Sequence, residues 1–561
     1  MDPFNISDLF CVKDNILIGA KTADLDERMQ DWNINIGSLI LKSFISNPNF
    51  VGQVDEKTGE ENTFQEMREK TVKCALWMQR LGIRSNDVIM ICTNNQLEAY
   101  VPFIAALYIG AVVSPLDMFY NLEMIDFFVE QVSPVILFIH ERFYKKVHKI
   151  INQLQVLKDF PTPIIIGIPH KKENVQTTIK DIFTLEQILN FNYDPVNIEH
   201  FSCPKVINVK STAMKLFTSG TTAFPTQVDI PHLAFMAPSN QQAPNMRKND
   251  TALLLESLCY INGIFMTIQA ILLQVKVIRI NTQFTARICE AIKKYKITWI
   301  FLEANLCNRL IKFSELEKHD VSSLRTVVFG GSTINSFKIH DDLTTLLPNA
   351  SILQAYSLTE TGIIAYQRQP GKMGSCGYVS ADVQLKIVGK DYRYREISLG
   401  PERYGEIYCR SPYMLTAFLK HNSEQSRVIL DWFKTGDVGL YDKDGDIYIV
   451  DRKNQIFYIR NHRVIPTIIE NILLSHDAVL QAIVIPIPVN DIEHCMVAII
   501  MKIPGAKVTE MEIRQLVVEK TSSIFAFQRV IFTNIWPCQS NGKNRRRCLL
   551  NMARSKYWGH K

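Results

Sequence analysis

Helical and strand-like runs alternate along most of this 561-residue chain, and that alternation predicts an α/β protein with largely parallel sheets. Two further observations subdivide it. After about residue 400 the runs shorten into strands separated by Asp-Gly turns, and the last hundred or so residues alternate strand and helix on a smaller scale. A chain of this length exceeds what one small core can organise, so two or more domains are expected.

Thr71 to Leu81, TVKCALWMQRL, spaces its apolar residues for a helix, and Gly82 follows as a stop signal. DVIMIC (87–92) then reads as a short buried strand. A helix near Glu98–Tyr108, Gly110 and the run AVVSPL make the next unit. Further strands are expected at VILFI (135–139), PIIIGI (163–168), KVIRI (276–280), TWIFL (298–302) and TVVFGG (326–331). YGEIYCR (404–410), VGLYDKDGDIYIVDR (438–452) and NQIFYIR (454–460) carry a hairpin signature. Beyond them, AVLQAIVIPIPV and CMVAIIMKI read as strands and EMEIRQLVVEK as a helix. The domain boundary is expected at Asp451-Arg452-Lys453-Asn454, dividing 1–453 from 454–561. The chain carries no repeats or low-complexity tracts.

Composition is that of an ordinary globular protein, 47% apolar and 21% charged. The net charge of +6 is mild for this length and does not argue for nucleic acid, and no nucleic-acid partner is expected; the basic cluster Lys543-Asn-Arg-Arg-Arg547 reads as a solvated face. The 12 cysteines are scattered and form no C-x-x-C, so no metal or redox motif follows. With no apolar leader at its start, the chain is expected in a reducing intracellular compartment. Ala99 to Leu116 is uncharged and near the lower limit for a membrane span. It holds two prolines, however, and reads instead as a buried helix followed by a buried strand. The terminal Trp-Gly-His-Lys is not a peroxisomal Ser-Lys-Leu address.

The chemistry begins at Thr218-Ser219-Gly220-Thr221-Thr222, which follows the apolar run MKLF. Small hydroxylic residues around a glycine let backbone N–H groups and hydroxyls converge on phosphate oxygens. No Gly-Lys-Thr/Ser follows, so this is not a P-loop; taken alone, such a run is also an ordinary loop. Four more stretches stand in order: Gln354-Ala-Tyr-Ser-Leu-Thr-Glu-Thr361 after a strand, Thr435-Gly-Asp437 before a hairpin, Asp451-Arg452 ending one, and Asn541-Gly-Lys543 near the C-terminus.

In these five motifs the chain resembles the adenylate-forming superfamily, in its 4-coumarate–CoA ligase, firefly-luciferase and acyl-CoA synthetase branch, from about residue 30 to 550. The resemblance implies a large N-terminal domain with a β-barrel-like part and a small mobile C-terminal domain. It implies that Thr218, Ser219, Gly220, Thr221 and Thr222 hold the β- and γ-phosphates of ATP. Tyr356 would pack on adenine, Thr359 lie near the α-phosphate, and Glu360 help hold Mg²⁺, a hard cation that takes oxygen ligands. Asp437 would accept hydrogen bonds from the ribose hydroxyls, supported by Arg452. Gly330, Gly331, Ser332, Ala355 and Ser357 would wall the acyl pocket. Lys543 would bridge the substrate carboxylate and the α-phosphate, and Asn454 would be the hinge.

The sequence departs from the family around this centre. Thr226 and Gln227 replace a Lys-Gly, and Cys259-Tyr260 an aromatic or histidine pair. Asn461 replaces a glycine in the thiol-channel loop Arg460–Val464, and Pro537-Cys538 stands for Pro-Lys. Tyr356, Glu360, Asp437, Arg452 and Lys543 are all present. The resemblance therefore implies an ATP- and Mg²⁺-dependent ligase joining an apolar acid, a medium- or long-chain fatty acid foremost, to coenzyme A, with light emission a second activity of the same branch. The rival is a catalytically silent nucleotide- or acyl-adenylate-binding protein. The family is often peroxisomal; peroxisome or cytoplasm is the expected location, and the oligomeric state is left open.

Overall fold

The computed structural model describes residues 9–21, 35–93, 95–117, 122–158, 163–168, 183–205, 208–218, 225–236, 244–331, 336–411, 428–429, 431–488, 494–538 and 543–558. Ser219, Gly220, Thr221, Thr222 and Ser332 lie outside them.

The expected α/β architecture is observed. One seven-stranded sheet has Val88–Thr93 at its centre, flanked in parallel by Val112–Asp117 and Ile136–His140. Its edge is the antiparallel pair Thr212–Phe217 and Gln227–Pro231. A nine-stranded sheet runs through Thr251–Leu254, Trp299–Glu303, Thr326–Gly330 and Ser351–Leu358 in parallel register. A third, eight-stranded sheet is antiparallel and contains Gln384–Lys390, Gly405–Arg410, Trp432–Tyr441 and Ile447–Arg452.

Helices cover the parallel sheets for local reasons. Phe64–Arg80 opens on a capping box, Thr63 with Glu66, so orphan donors of its first turn are satisfied by side chains. It begins seven residues before the expected start at Thr71. Tyr100–Ile109 is buried at every position, and Gly110 ends it at φ 73°. The uncharged stretch therefore divides into that helix and the buried strand Val112–Asp117. Among the described residues no helix is long and apolar enough to cross a membrane.

The N-terminal hairpin, Phe10–Lys13 with Ile16–Gly19, was not anticipated. It adds to the edge of the antiparallel sheet through Gln384–Lys390. Phe10 stacks on Tyr378 at 5.1 Å and lies where a Cβ on Gly445 (φ +87°) would fall.

After Arg452 the chain turns through Lys453–Gln455 into smaller elements. Val479–Pro488, His494–Lys502 and Arg529–Phe532 form a three-stranded sheet. Helices Pro466–Leu474, Glu510–Lys520 and Arg546–Trp558 accompany it. This unit touches the large one along helix Ala304–Lys312. There the Asn308 amide donates to Leu480 O at 2.8 Å, and Lys312 Nζ to His476 O at 3.2 Å.

Candidate active site

Parallel strands end together, so the residues that follow them line one edge of the sheet. Thr326–Gly330 and Ser351–Leu358 pair with Gly330 opposite Ala355. A Cβ on Gly330 would fall 2.6 Å from Ala355 O, so only glycine fits that approach. Along Ser351–Leu358 the burial alternates, with Ala355 and Ser357 half-buried and Tyr356 and Leu358 buried. Side chains alternate across a strand, so Ala355 and Ser357 share a face and Tyr356 takes the other. Thr359 and Glu360 occupy the turn into Gly362–Tyr366; Glu360 is buried there.

Tyr356 leads to the next group. Its hydroxyl donates to Asp437 Oδ2 at 2.6 Å, and Arg452 Nε lies 2.8 Å from Asp437 Oδ1. Asp437 and Arg452 face each other across an antiparallel pair. The Asp437 N–H donates to Thr435 Oγ1, whose own proton goes to Ile407 O, which fixes the loop Thr435-Gly-Asp437. Burial, then the neighbouring Asp437 carboxylate, pushes the Tyr356 phenol well above its ordinary range. Burial pulls the Arg452 guanidinium down, but Asp437, Tyr356 and Glu360 outweigh it and the net direction is up. The three groups thus form one charged cluster, with Glu360 in electrostatic reach.

Lys543 arrives from the small unit. A Cβ on Gly331 (φ +88°) would lie 3.2 Å from Lys543 Cε and 3.3 Å from Glu303 Cγ. Lysine, glycine and glutamate therefore meet at the edge that carries Ala355 and Ser357. Sequence reasoning did not single out Glu303. Its signal was a charged residue directly after the run TWIFL, where it also caps helix Ala304–Lys312 by accepting the Asn305 N–H at 2.7 Å.

The hydroxylic loop is seen only at its base. Thr218 N donates to Thr226 O at 2.9 Å, and Thr226 N to Thr218 Oγ1 at 3.2 Å. These bonds close the hairpin between Thr212–Phe217 and Gln227–Pro231. Thr226 is exposed and uses its backbone here, so its side chain is not committed to the fold.

Two further pairs flank this region. Tyr260 OH donates to Asp117 Oδ2 at 2.6 Å, and Ser357 Oγ to Asn262 Oδ1 at 3.1 Å. Within Arg460–Val464, Arg460 and Asn461 make the tight turn between strands Phe457–Ile459 and His462–Val464, with Arg460 at φ 45° and Asn461 at φ 66°. Two successive positive φ values make a type I′ turn, which favours Asn-Gly. The reading of Lys543–Arg547 as a wholly solvated face needs correction. Arg546 pairs with Glu470 at 3.1 Å, and Glu470 is 1% exposed.

The sheets, the charged cluster built on Tyr356, and a lysine that a second unit brings to Gly331 at the strand ends are those of a two-part adenylate-forming enzyme fold. The model for "AMP-binding enzyme" matches residues 45–419 and that for "AMP-binding enzyme C-terminal domain" residues 468–543, so the chain belongs to the AMP-binding enzyme family. It is 27% identical over 508 residues to 4-coumarate–CoA ligase 2 of Oryza sativa subsp. japonica, covering 87% of each chain. With 4-coumarate–CoA ligase CCL1 of Humulus lupulus the figure is 26% over 515 residues, 88% of this chain and 90% of the relative. Among solved structures, the anthranilate CoA ligase AuaEII in complex with anthranoyl-AMP superposes with a TM-score of 0.80 at 18% identity, over 94% of this chain and 98% of that one. The luciferase-like enzyme from the nonluminescent mealworm Zophobas morio gives 0.68 at 25% identity, over 78% and 98%.

Proposed function

We propose that this protein uses ATP to activate an apolar carboxylic acid and passes the acyl group to coenzyme A. The acid's carboxylate attacks the α-phosphate and pyrophosphate leaves; the thiol then attacks the acyl-adenylate carbonyl and AMP leaves. By class it is an enzyme, an acid–thiol ligase that works through an adenylate. The observation that carries this reading is the meeting of Lys543 with Gly331, beside Ala355 and Ser357.

In this reading Asp437 accepts hydrogen bonds from the ribose hydroxyls, steadied by Arg452 and Tyr356, and Tyr356 backs the adenine. The loop Thr218-Ser219-Gly220-Thr221-Thr222 receives the β- and γ-phosphates, and Thr359 borders the α-phosphate. Gly330, Gly331, Ser332, Ala355 and Ser357 wall the acyl pocket. Two anionic groups must approach each other, so a fixed cation at the reacting centre lowers the barrier; Lys543 supplies it. Among the described residues no group of three carboxylate, histidine or cysteine side chains could cage a metal ion. One buried carboxylate, Glu360, suits the way Mg²⁺ is usually held, by one or two carboxylates and the nucleotide's phosphates. Bound there, Mg²⁺ would offset the charge of the departing pyrophosphate.

We place the hinge at the 453/454 boundary, with Asn454 absorbing the dihedral change as the small domain withdraws Lys543 for thiol entry. Asn461→Gly should speed thioester formation from supplied acyl-adenylate and leave adenylation alone, because it removes a side chain from a left-handed position in the thiol-channel turn. Stopped transfer assays check this. Thr226→Lys should lower the ATP Michaelis constant in steady-state kinetics, since the backbone bonds of Thr226 survive the change and the loop gains a cation.

Fatty acids of medium or long chain are the first substrates proposed. The 4-coumarate ligases among the relatives, and the polar Asn262–Ser357 and Tyr260–Asp117 pairs, favour an aryl acid as the second reading. Mass-spectrometric detection of thioesters from octanoate, palmitate and 4-coumarate separates the two. Failure of every acid in both thioester and adenylate assays would favour the silent binding protein.

A further inference from the structure

We propose that Arg546 and Glu470 form a buried anchor that positions Lys543, needed for adenylation and dispensable for thiol transfer. The proposal rests on the role given to Lys543 above.

Lys543 is a flexible stem ending in a point charge. Its tip can be held at Gly331 only if its backbone is held first. On one side, Asn544 bridges Cys538 and accepts Trp536 Nε1 at 2.7 Å, while Arg545 N donates to Pro537 O at 2.9 Å. On the other side stands Arg546. Its Nη2 lies 3.1 Å from Glu470 Oε1 and 3.1 Å from Val484 O. The same Glu470 oxygen accepts Val484 N at 2.9 Å. One guanidinium therefore ties the residue three places after the lysine to helix Pro466–Leu474 and strand Val479–Pro488 together. Arg546 also opens helix Arg546–Trp558, whose Leu549 and Ala553 are buried against that sheet.

Burial raises the Glu470 carboxyl's pKa, and Arg546 opposes that rise. A buried ion pair gives little net stability compared with apolar residues of similar size. Its physical value at this place is geometric: the guanidinium bonds Glu470 and Val484 O at once, and that holds the segment from which the lysine starts. Chemistry of this kind needs groups held to within about 0.5 Å. Adenylation uses the inserted lysine, whereas transfer takes place with it withdrawn, so the anchor should matter to the first step alone.

The test uses the full-length double variant Glu470→Met/Arg546→Met, which leaves no uncompensated buried charge and should fold; a thermal melt checks that it does. Pyrophosphate release is measured with octanoate and 4-coumarate, and transfer to coenzyme A with octanoyl- and coumaroyl-adenylate. The expected result is a loss of about tenfold or more in adenylation, the scale of a misplaced catalytic group, with transfer unchanged. Arg546→Lys should recover part of the loss. Combined with Lys543→Ala, the double variant should cause no further loss, because residues acting as a unit are not additive. Unchanged adenylation in the folded variant, equal loss in both half-reactions, or further loss on the Lys543→Ala background would overturn the anchor and leave the ligase reading standing. If Lys543→Ala alone changes nothing, the ligase reading fails and takes the anchor with it.

Discussion

Lys543→Ala should lower acyl-adenylate formation by on the order of 10²–10³, the scale for removing one electrostatic partner of a transition state. Transfer from supplied acyl-adenylate to coenzyme A should remain largely intact. The asymmetry follows from geometry. Lys543 Cε lies beside Gly331, and residues of the same small unit bond helix Ala304–Lys312 through Asn308 and Lys312. On the proposed domain rotation, the lysine would be away from the reacting atoms during transfer. Rapid-quench measurement of each half-reaction distinguishes this from general damage, which would slow both.

The second large effect is at Asp437. Asp437→Ala should weaken ATP binding by about tenfold or more, since each charge-assisted hydrogen bond to a ribose hydroxyl contributes about 1.5–3 kcal/mol. It also strips Tyr356 OH and Arg452 Nε of the partner they share at 2.6 and 2.8 Å. That takes a hydrogen bond from a buried phenol and leaves a guanidinium without its carboxylate, so some loss of thermal stability should accompany the loss of affinity. Titration calorimetry with ATP reads the first effect and a melt the second. Unchanged affinity would mean that nucleotide does not lie along Asp437.

The parallel core was legible because buried strands in α/β proteins are short continuous apolar runs: DVIMIC, VILFI and TWIFL stand within a residue of the observed strands. Boundaries were less legible. The helix expected from Thr71 begins at Phe64, because the capping box at Thr63 and Glu66 lies ahead of the periodic stretch that was read. The N-terminal hairpin went unread for a different reason. Its strands are four residues each, and they become a sheet edge only by pairing with Gln384–Lys390, far along the chain. At the site, the order of motifs pointed to Tyr356, Asp437 and Arg452, and the structure joins them in one cluster. Glu303, Asn262 and the Glu470–Arg546 pair were not legible, since their significance depends on partners distant in sequence. Arg546 looked like one more surface cation until Glu470, 76 residues earlier, was placed beside it.

The central claim is that this chain forms an acyl-adenylate reversibly at the site beneath Lys543. Acid-dependent exchange of labelled pyrophosphate into ATP, without coenzyme A, measures that step alone. The account predicts exchange with at least one apolar acid from a panel of graded alkyl and aryl acids, abolished to near background in Lys543→Ala. No exchange with any acid from protein that still binds ATP, or exchange that persists undiminished in Lys543→Ala, would contradict it.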